Sequence, residues 1–424
     1  MHSIAHRRLY RLPHALLMIA VVLAAALPVP RAAGADAVLQ WNEIAQRTVA
    51  TANPLVQSRS MAIVQAAVAD AVAAVGRDYE GFALRETAAA GASAPAAAVA
   101  AAHAALTALH PPAAPSLDAA YTTALAGLPD GPARAEGIRI GKAAAAAILE
   151  QRAGDGWNAP ASYTPVARAG RWIPTPPASA APLGPQWGRV KPFALSRADQ
   201  FRAPTPPPPD SAEYARDLRE VYELGGVTSP KRTPQLADVA RFWIISGMQG
   251  WNPAARQVST FKKLTLPQNA RLLALLNVAM ADGLIACWDS KFAHDTWRPV
   301  TAIHAGGHGV AADPSWMPLI VTPPFPAYPS GHACAGGAAR LVLERQLGPG
   351  GHAITLTSAT APGVTFTYDS FKAIADQVDE ARVVGGIHVR HDQTAGGELG
   401  RRVGEHVCRT AWRLRPGPSS GCGP

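Results

Sequence analysis

The stretch RSMAIVQAAVADAVAAVG, residues 59–76, decides the fold class. Its apolar residues recur at helical spacing, and its many alanines favour a helix that packs closely against other helices. Ala96–Leu109 and Gly137–Arg152 show the same pattern, whereas only Ile354–Tyr368 is weakly strand-like. The sequence therefore predicts an all-α protein of one helical bundle or two packed bundles.

Amino-acid composition and the placement of prolines indicate the domain organisation. The chain has 424 residues, 48% of them hydrophobic and 16% charged, which is enough apolar material for a large core. Prolines concentrate in residues 159–210, which we expect to wrap over the surface because the segment also carries tryptophans. The predicted regions are an N-terminal helical region (36–158), this Pro-rich segment, a C-terminal helical bundle (211–412) and a disordered tail (413–424). Predicted helices of the C-terminal bundle cover 211–224, 233–249, 267–288 and 333–347.

Residues 1–35 have the order of a secretory signal peptide. Three arginines within the first eleven residues precede an apolar run from Ala15 to Leu27, and small residues follow up to Ala35. The apolar run is shorter than the ~20 residues that span a bilayer. We therefore expect an exported protein, periplasmic or secreted, with no stable membrane span after removal of the signal.

The net charge and the distribution of basic residues limit the kinds of binding partner that the sequence predicts. Loss of the signal peptide removes four arginines and lowers the formal net charge from +9 to +5. Basic residues do not cluster with aromatic residues, so the sequence does not predict nucleic-acid binding.

The first chemical motif is KFAHDTWRP, residues 291–299. Lys291 and Arg298 are seven residues apart, which on a continuous helix is two turns and places both cations on one face. Two such cations can close on an oxyanion, unless Asp295 on the same face neutralises them. Pro299 predicts that the helix ends or kinks there.

The second motif is PPFPAYPSGH, residues 323–332, which precedes a small-residue helix. Ser330 occupies the predicted N-cap, so the N–H groups of Gly331 and His332 point outward from the positive end of the helix. Anions bind at such ends, and His332 is placed there to exchange a proton.

The third motif joins Arg382, the pair Gly385-Gly386, His388 and Asp392. On one helix Arg382 and His388 would point about 120° apart. The glycine pair predicts a break, with one helix ending near Arg382 and the next beginning near His388, so that both side chains can face one site. Asp392 is then a candidate partner for an imidazole nitrogen.

In this order, K-x6-R-P, P-S-G-H and R-x5-H-x3-D resemble the vanadium-dependent haloperoxidases. The context PPFPAYPSGHACAGGA, residues 323–338, looks like the chloroperoxidase branch. Trp288 fits that branch, as does Phe325, where bromoperoxidases commonly carry histidine. Ala381 departs from the pattern, because many relatives have serine before the arginine.

The resemblance implies an all-helical fold of two packed bundles, shared with type 2 phosphatidic acid phosphatases and bacterial acid phosphatases. It also implies a vanadate cofactor whose vanadium is coordinated by His388, with phosphate able to occupy the same site. The implied contacts to the oxyanion come from Lys291, Arg298, Ser330, Gly331, His332 and Arg382, with His332 as the acid–base group and Trp288, Phe325 and Asp392 around them.

The implied reaction is oxidation of halide by hydrogen peroxide to a hypohalous-acid-type species that halogenates a small organic acceptor. Vanadium would stay V(V) and act as a Lewis acid. A homodimer is compatible with the sequence.

Three alternatives remain open at this point. The same pocket suits a phosphatase of phosphomonoesters or lipid phosphates, in which His388 forms a phosphohistidine and His332 protonates the leaving group. A divalent-metal site is the second, because paired histidine spacings occur within the set His304, His308, His388, His391 and Asp392. A non-catalytic helical binding protein is the third.

Overall fold

Helices dominate the computed structural model, which describes residues 36–415. The all-α prediction is confirmed, and the weakly strand-like stretch forms one antiparallel β-hairpin. The elements are α1 Ala37–Val49, α2 Pro54–Gly76, α3 Ala94–Leu109, α4 Ala114–Ala126, α5 Pro132–Arg152, α6 Ala212–Leu224, α7 Pro234–Phe242, α8 Gly247–Phe261, α9 Leu266–His294, α10 Pro299–Ala305, α11 Gly331–Leu347, β1 Gly350–Thr357, β2 Thr365–Ser370, α12 Phe371–Val384 and α13 Arg390–Thr410.

Two predicted segments fall wholly or partly outside the described residues. The predicted signal peptide, residues 1–35, lies outside them, as do residues 416–424 of the predicted tail. Residues 413–415 of that tail are described, and their backbone makes hydrogen bonds with Asp78 and Glu80. The chain from Asp36 onward groups into one compact unit; the finer domain boundaries stay predictions.

The core of the N-terminal region is α2, the helix that carries the stretch 59–76. It begins at Pro54 because the Asn53 side chain accepts hydrogen bonds from the N–H groups of Leu55 and Val56. Nearly every residue from Leu55 to Ala74 is buried, and α2 packs against α3, α5 and α9. A helix that is apolar on all sides needs this kind of complete coverage.

The longest helix, α9, connects the N-terminal helices to the C-terminal ones. Its 29 residues pack against α2 on one side and against α11 and α13 elsewhere. Helices α2 and α9 are long and apolar enough to cross a bilayer, but 89% and 94% of their most apolar windows are buried inside the protein. They are the central core helices, and α9 delivers its last turn to the candidate site.

The Pro-rich segment 159–210 packs down on the C-terminal helices. Trp172 and Trp187 are buried, as the tryptophan content predicts. Asp282 of α9 accepts hydrogen bonds of 2.7–3.0 Å from three successive N–H groups of this segment, residues 193–195. The segment reaches the candidate site at Leu183, which lines its cavity.

One predicted helix, 233–249, is wrong. The chain forms α7 and α8 instead, with a break over residues 243–246 in which Ser246 adopts the extended conformation of an N-cap. The break turns the carbonyl groups of Trp243 and Ile245 towards side chains of the candidate site.

Candidate active site

The three sequence motifs meet at one place, and hydrogen bonds connect them directly. Arg298 Nη1 lies 3.1 Å from His388 Nε2, Lys291 Nζ donates to the carbonyl of Pro329 over 2.6 Å, and the N–H of Ser330 donates to the carbonyl of Asp392 over 2.9 Å. The predicted break between α12 and α13 is confirmed: α12 ends at Val384, Gly386 has φ +82°, and His388 lies in the turn before α13.

Lys291 and Arg298 do not share a helix face, so that prediction is wrong. Helix α9 ends at His294 because Asp295 adopts the left-handed conformation, φ 54° and ψ 47°. Arg298 is the residue before α10, and Pro299 opens that helix instead of ending the previous one. The two cations converge from two elements rather than from one face.

Asp295 does not neutralise these cations. Its carboxylate accepts a hydrogen bond from the Tyr163 hydroxyl and lies 3.7 Å from the Arg171 guanidinium. It therefore belongs to the contact between the Pro-rich segment and the end of α9.

Lys291 is fully buried, and its ammonium group donates three hydrogen bonds to backbone carbonyls. The acceptors are Pro326, Ala327 and Pro329, at 2.8, 2.7 and 2.6 Å from Nζ. An ammonium has three donors, so all are used. Lys291 thus fixes the loop before Ser330 and supplies positive charge, and burial lowers its pKa to about 8.

The two arginines each keep one buried donor atom without a protein partner. Arg298 donates from Nε to the carbonyl of Phe325 and from Nη1 to the carbonyl of Ile387, each over 2.9 Å, while Nη2 bonds to no described residue. Arg382 donates from Nη1 to the carbonyl of Trp243 over 2.6 Å, while Nε bonds to none. Burial lowers the pKa of both guanidinium groups, which stay charged at neutral pH.

His388 is held as one neutral tautomer. Its Nδ1 lies 2.9 Å from the Asp392 carboxylate, and its Nε2 faces the Arg298 guanidinium. An arginine can only donate, so the hydrogen-bond network assigns the proton to Nδ1 and the lone pair to Nε2. Burial and the surrounding cations lower the pKa of His388 well below its ordinary value, which keeps the imidazole neutral.

The N-terminus of α11 completes the site. The Ser330 hydroxyl caps it by accepting from the N–H of Ala333 over 3.4 Å, and the N–H groups of Gly331 and His332 have no partner within the helix. His332 is half-buried, and its Nε2 donates to the carbonyl of Ile245 over 2.9 Å. Burial and, secondarily, the Arg382 charge lower the pKa of His332 to about 3.

These groups surround a cavity of about 300 Å³. Gly331, His332, Arg382 and His388 form its polar end, whereas Lys291, Arg298 and Ser330 lie behind that end and are fully buried. Apart from Ser246, the remaining wall is apolar and includes Leu55, Met248, Leu284, Trp288, Phe325 and Val321.

Trp288 and Phe325 line the cavity beside the buried cations Lys291 and Arg298. Their ring centroids are 4.9 Å apart, and the Phe325 centroid lies 5.1 Å from Lys291 Nζ and 4.9 Å from Arg298 Cζ. The Trp288 indole is fixed by donating to the carbonyl of Leu183 in the Pro-rich segment over 3.2 Å. Both rings can stabilise the positive charges through their faces.

The divalent-metal alternative has no support in the structure. Within residues 36–415, no group of three or more His, Cys, Asp or Glu side chains is placed to hold a metal ion. His304 and His308 bond instead to the carbonyls of Trp316 and Pro209, and His391 pairs with Asp217. The charged side chains that meet at the candidate site are three cations, Lys291, Arg298 and Arg382, and one buried carboxylate, Asp392, a set whose net positive charge suits an oxyanion.

Sequence reasoning missed the backbone groups that orient the site. The carbonyls of Trp243 and Ile245 position Arg382 and His332, and the carbonyls of the 325–329 loop position Lys291 and Arg298. The prolines of that loop were the available signal, because a proline-rich turn exposes carbonyls while donating few N–H groups.

Comparison with known proteins points to the same class of protein as the sequence motifs of the site. Residues 271–417 match the family model of the VCPO second helical-bundle domain. Over 194 residues the chain is 29% identical to vanadium chloroperoxidase of Curvularia inaequalis, which covers 38% of this chain and 32% of that protein. The match thus spans about a third of the relative's length.

Solved structures extend the likeness over most of the chain. The crystal structure of a bacterial vanadium-dependent iodoperoxidase superposes with a TM-score of 0.77 and 28% identity, covering 90% of this chain and 97% of that one. An apo-type bacterial vanadium-dependent chloroperoxidase gives 0.70 and 17% identity over 84% and 94%, which is a likeness of fold. The resemblance to the vanadium-dependent haloperoxidases that the motifs indicated is therefore confirmed.

Proposed function

We propose that the protein is a vanadate-dependent haloperoxidase that oxidises halide with hydrogen peroxide to a hypohalous-acid-type halogenating species. The observation that carries this proposal is the neutral His388, whose Nε2 lone pair lies among the buried cations Lys291, Arg298 and Arg382. A nitrogen ligand and fixed positive charges are what an oxyanion centred on a Lewis acid requires.

The unpaired hydrogen-bond donors of the site fit vanadate. Arg298 Nη2 and Arg382 Nε are buried donors with no partner among the described residues, and such atoms need an acceptor. The N–H groups at the start of α11 add donors and a positive helix end. In this proposal His388 ligates vanadium, and Lys291, Arg298, Arg382, Ser330 and Gly331 surround the oxygens.

Bound vanadate would supply a Lewis-acidic centre that activates hydrogen peroxide towards halide. The protein's own groups do the rest. The cations stabilise the negative oxygens, Asp392 keeps the His388 proton on Nδ1, and His332 moves a proton beside the site. Formation of hypohalous acid and water from halide and hydrogen peroxide consumes one proton, so a proton source is part of the reaction.

The apolar wall of the cavity suits a small, apolar organic acceptor. Trp288, Phe325, Leu284 and Met248 offer ring and aliphatic surface but no hydrogen-bond pattern that would select one polar substrate. Hydrogen peroxide, halide and this acceptor are the proposed partners. Export of the chain and a homodimer stay predictions from the sequence.

The direct test compares two activities in one preparation. Purified protein should brominate a phenol or dione reagent with hydrogen peroxide after incubation with orthovanadate, and should fail to do so without vanadate. Hydrolysis of a generic phosphomonoester is measured in parallel. If the protein hydrolyses the ester and shows no vanadate-dependent halogenation, the haloperoxidase assignment is wrong and the phosphatase assignment takes its place.

Oxyanion affinity is expected to fall as the pH rises above about 8. The pKa of Lys291 is lowered to about 8, so its ammonium is present below that pH and is lost above it. An anion prefers the charged form, and linkage then weakens binding by up to about tenfold per pH unit. Calorimetric titration with orthophosphate between about pH 8 and 10, where its own charge is constant, measures this slope.

Lys291→Arg is the matched variant for this titration, because a guanidinium stays charged over the same pH range. It should flatten the pH dependence while some affinity is kept. An affinity for orthophosphate that does not change with pH in the unsubstituted protein would contradict the assignment.

A further inference from the structure

A second cavity, of about 340 Å³, lies between α11, α12 and α13. His332 lines this cavity as well as the first one, so the two cavities meet at the imidazole assigned to proton transfer. The outer part of the second cavity is lined by exposed or half-buried polar and charged side chains: Arg340, Glu344, Asp376, Thr394, Glu398 and Arg401. The second cavity therefore reaches from the surface to an imidazole that also lines the candidate active site.

Gln393 indicates that the second cavity holds water. Its side chain lines the cavity and is 1% exposed, yet neither Oε1 nor Nε2 has a hydrogen-bond partner among the described residues. A buried amide is normally satisfied, and a polar cavity of this size has room for several ordered waters. The amide can both donate to and accept from such waters.

Asp379 is the half-buried carboxyl group of this cavity that makes no ion pair among the described residues, since the other half-buried one, Glu344, pairs with Arg340 over 2.7 Å. Asp379 lies on α12, and its neighbour Asp376 is exposed. Burial, and then the negative charge of Asp376, raise the pKa of Asp379 to about 7, so the group exchanges protons near neutral pH. The charged groups that act on it from the surrounding helices are Asp376 and Glu380 on α12, Arg340 on α11 and Arg390 on α13.

The tautomer of His332 leaves Nδ1 able to accept a proton. Its Nε2 must carry the proton, because it bonds to a carbonyl oxygen, which only accepts. Nδ1 then carries the lone pair, and it makes no hydrogen bond to another described residue. A proton that arrives through water can bind at Nδ1.

We propose that the second cavity delivers the proton that the halogenation consumes. Asp379 takes this proton from solvent, waters held by Gln393 pass it on, and His332 accepts it at Nδ1, where the negative charge of a bound oxyanion would favour the protonated imidazole. His332 then releases the same proton from Nδ1 to the reacting oxygen, while the Nε2 proton stays hydrogen-bonded to the carbonyl of Ile245. One proton enters for each hypohalous acid and water formed, and Asp379 is then reprotonated from solvent. This inference rests on the proposed haloperoxidase function.

Asp379→Asn tests the relay by removing the carboxyl proton while keeping the shape of the side chain. We expect kcat for halogenation to fall about tenfold, with KM for halide unchanged and with partial recovery when a small weak acid is added in excess. In the unsubstituted enzyme the carboxyl group of Asp379 is protonated below about pH 7 and loses its proton above it, so kcat should fall as the pH rises through about 7. The variant should lose this inflection, and Asp379→Glu should restore it.

Gly397→Leu tests the water path without touching a titratable group. Gly397 lines the second cavity, and a Cβ there would meet no atom within 4 Å, so the new side chain can enter the open space. We expect the same fall in kcat. Gly154→Leu is the matched control, because Gly154 is equally open and does not line either cavity, and its kcat should be unchanged.

A crystal structure of the protein without vanadate gives a readout that does not depend on activity. Ordered waters should join Asp379, Gln393 and His332, and Gly397→Leu should displace them. A dry cavity, or an unchanged kcat in both Asp379→Asn and Gly397→Leu, overturns the relay while leaving the haloperoxidase function intact. If the unsubstituted protein shows no vanadate-dependent halogenation, the proposed haloperoxidase function is wrong, and the proton relay proposed for that function is wrong with it.

Discussion

Replacing His388 with alanine is expected to lower the rate of halogenation by about 10³-fold or more and to abolish vanadate binding. His388 presents the Nε2 lone pair among the cations, and Asp392 at 2.9 Å fixes the tautomer that does so. Alanine leaves the positive charges in place but removes the nitrogen ligand. Halogenation kcat/KM and vanadate affinity by equilibrium dialysis measure the two losses.

His304→Ala is the matched control for this substitution. His304 is also a partly buried histidine with one ring nitrogen bonded to a backbone carbonyl, that of Trp316, but it does not line the cavity. Its removal should leave vanadate affinity unchanged. Full vanadate affinity in His388→Ala would show that the anion is held without a nitrogen ligand and would contradict the assignment of His388.

The second large effect is expected from Arg298→Lys, although the substitution conserves charge. The guanidinium spans the carbonyls of Phe325 and Ile387 and His388 Nε2, and still offers Nη2 to an anion. A lysine ammonium cannot reproduce this planar set of donors. Loss of one preorganised donor costs about 10²-fold in kcat, which steady-state halogenation measures.

Arg256→Lys controls for the substitution type. Arg256 is partly buried and bonds to the side chains of Asn42 and Gln46, away from the cavity. Its replacement should leave kcat within about twofold of the original value, because surface and remote changes rarely alter the site. Equal kcat in Arg298→Lys and in the original protein would remove Arg298 from the machinery.

The sequence predicted the helices well where a pattern is local. Ser330 and the Gly385-Gly386 pair are read from short-range rules of capping and backbone freedom, and the structure has helix boundaries at both. Lys291 and Arg298 show the limit of this reasoning. Their spacing fits two helical turns, but Asp295 ends the helix between them by adopting a conformation that asparagine or glycine adopts more readily.

The carbonyls that orient the site lay beyond prediction for a different reason. Arg382 bonds to Trp243 and His332 to Ile245, which are separated from them in sequence by 139 and 87 residues. Neither contact has a local pattern, because any residue carries a carbonyl and only the packing of distant helices selects which one is used. The residue types at the site can be predicted from motifs, whereas their orientation comes from the rest of the fold.

The break between α7 and α8 links the wall of the active-site cavity to two of the side chains proposed to act in the reaction. Ile244 lies in this break, lines the mouth of the active-site cavity and is 45% exposed. The carbonyls on either side of it hold Arg382 and His332. A change at Ile244 that reshapes the entrance for a bulkier acceptor therefore also shifts two groups that act on the reaction. In the proposed haloperoxidase, selectivity and turnover cannot be tuned independently at that position.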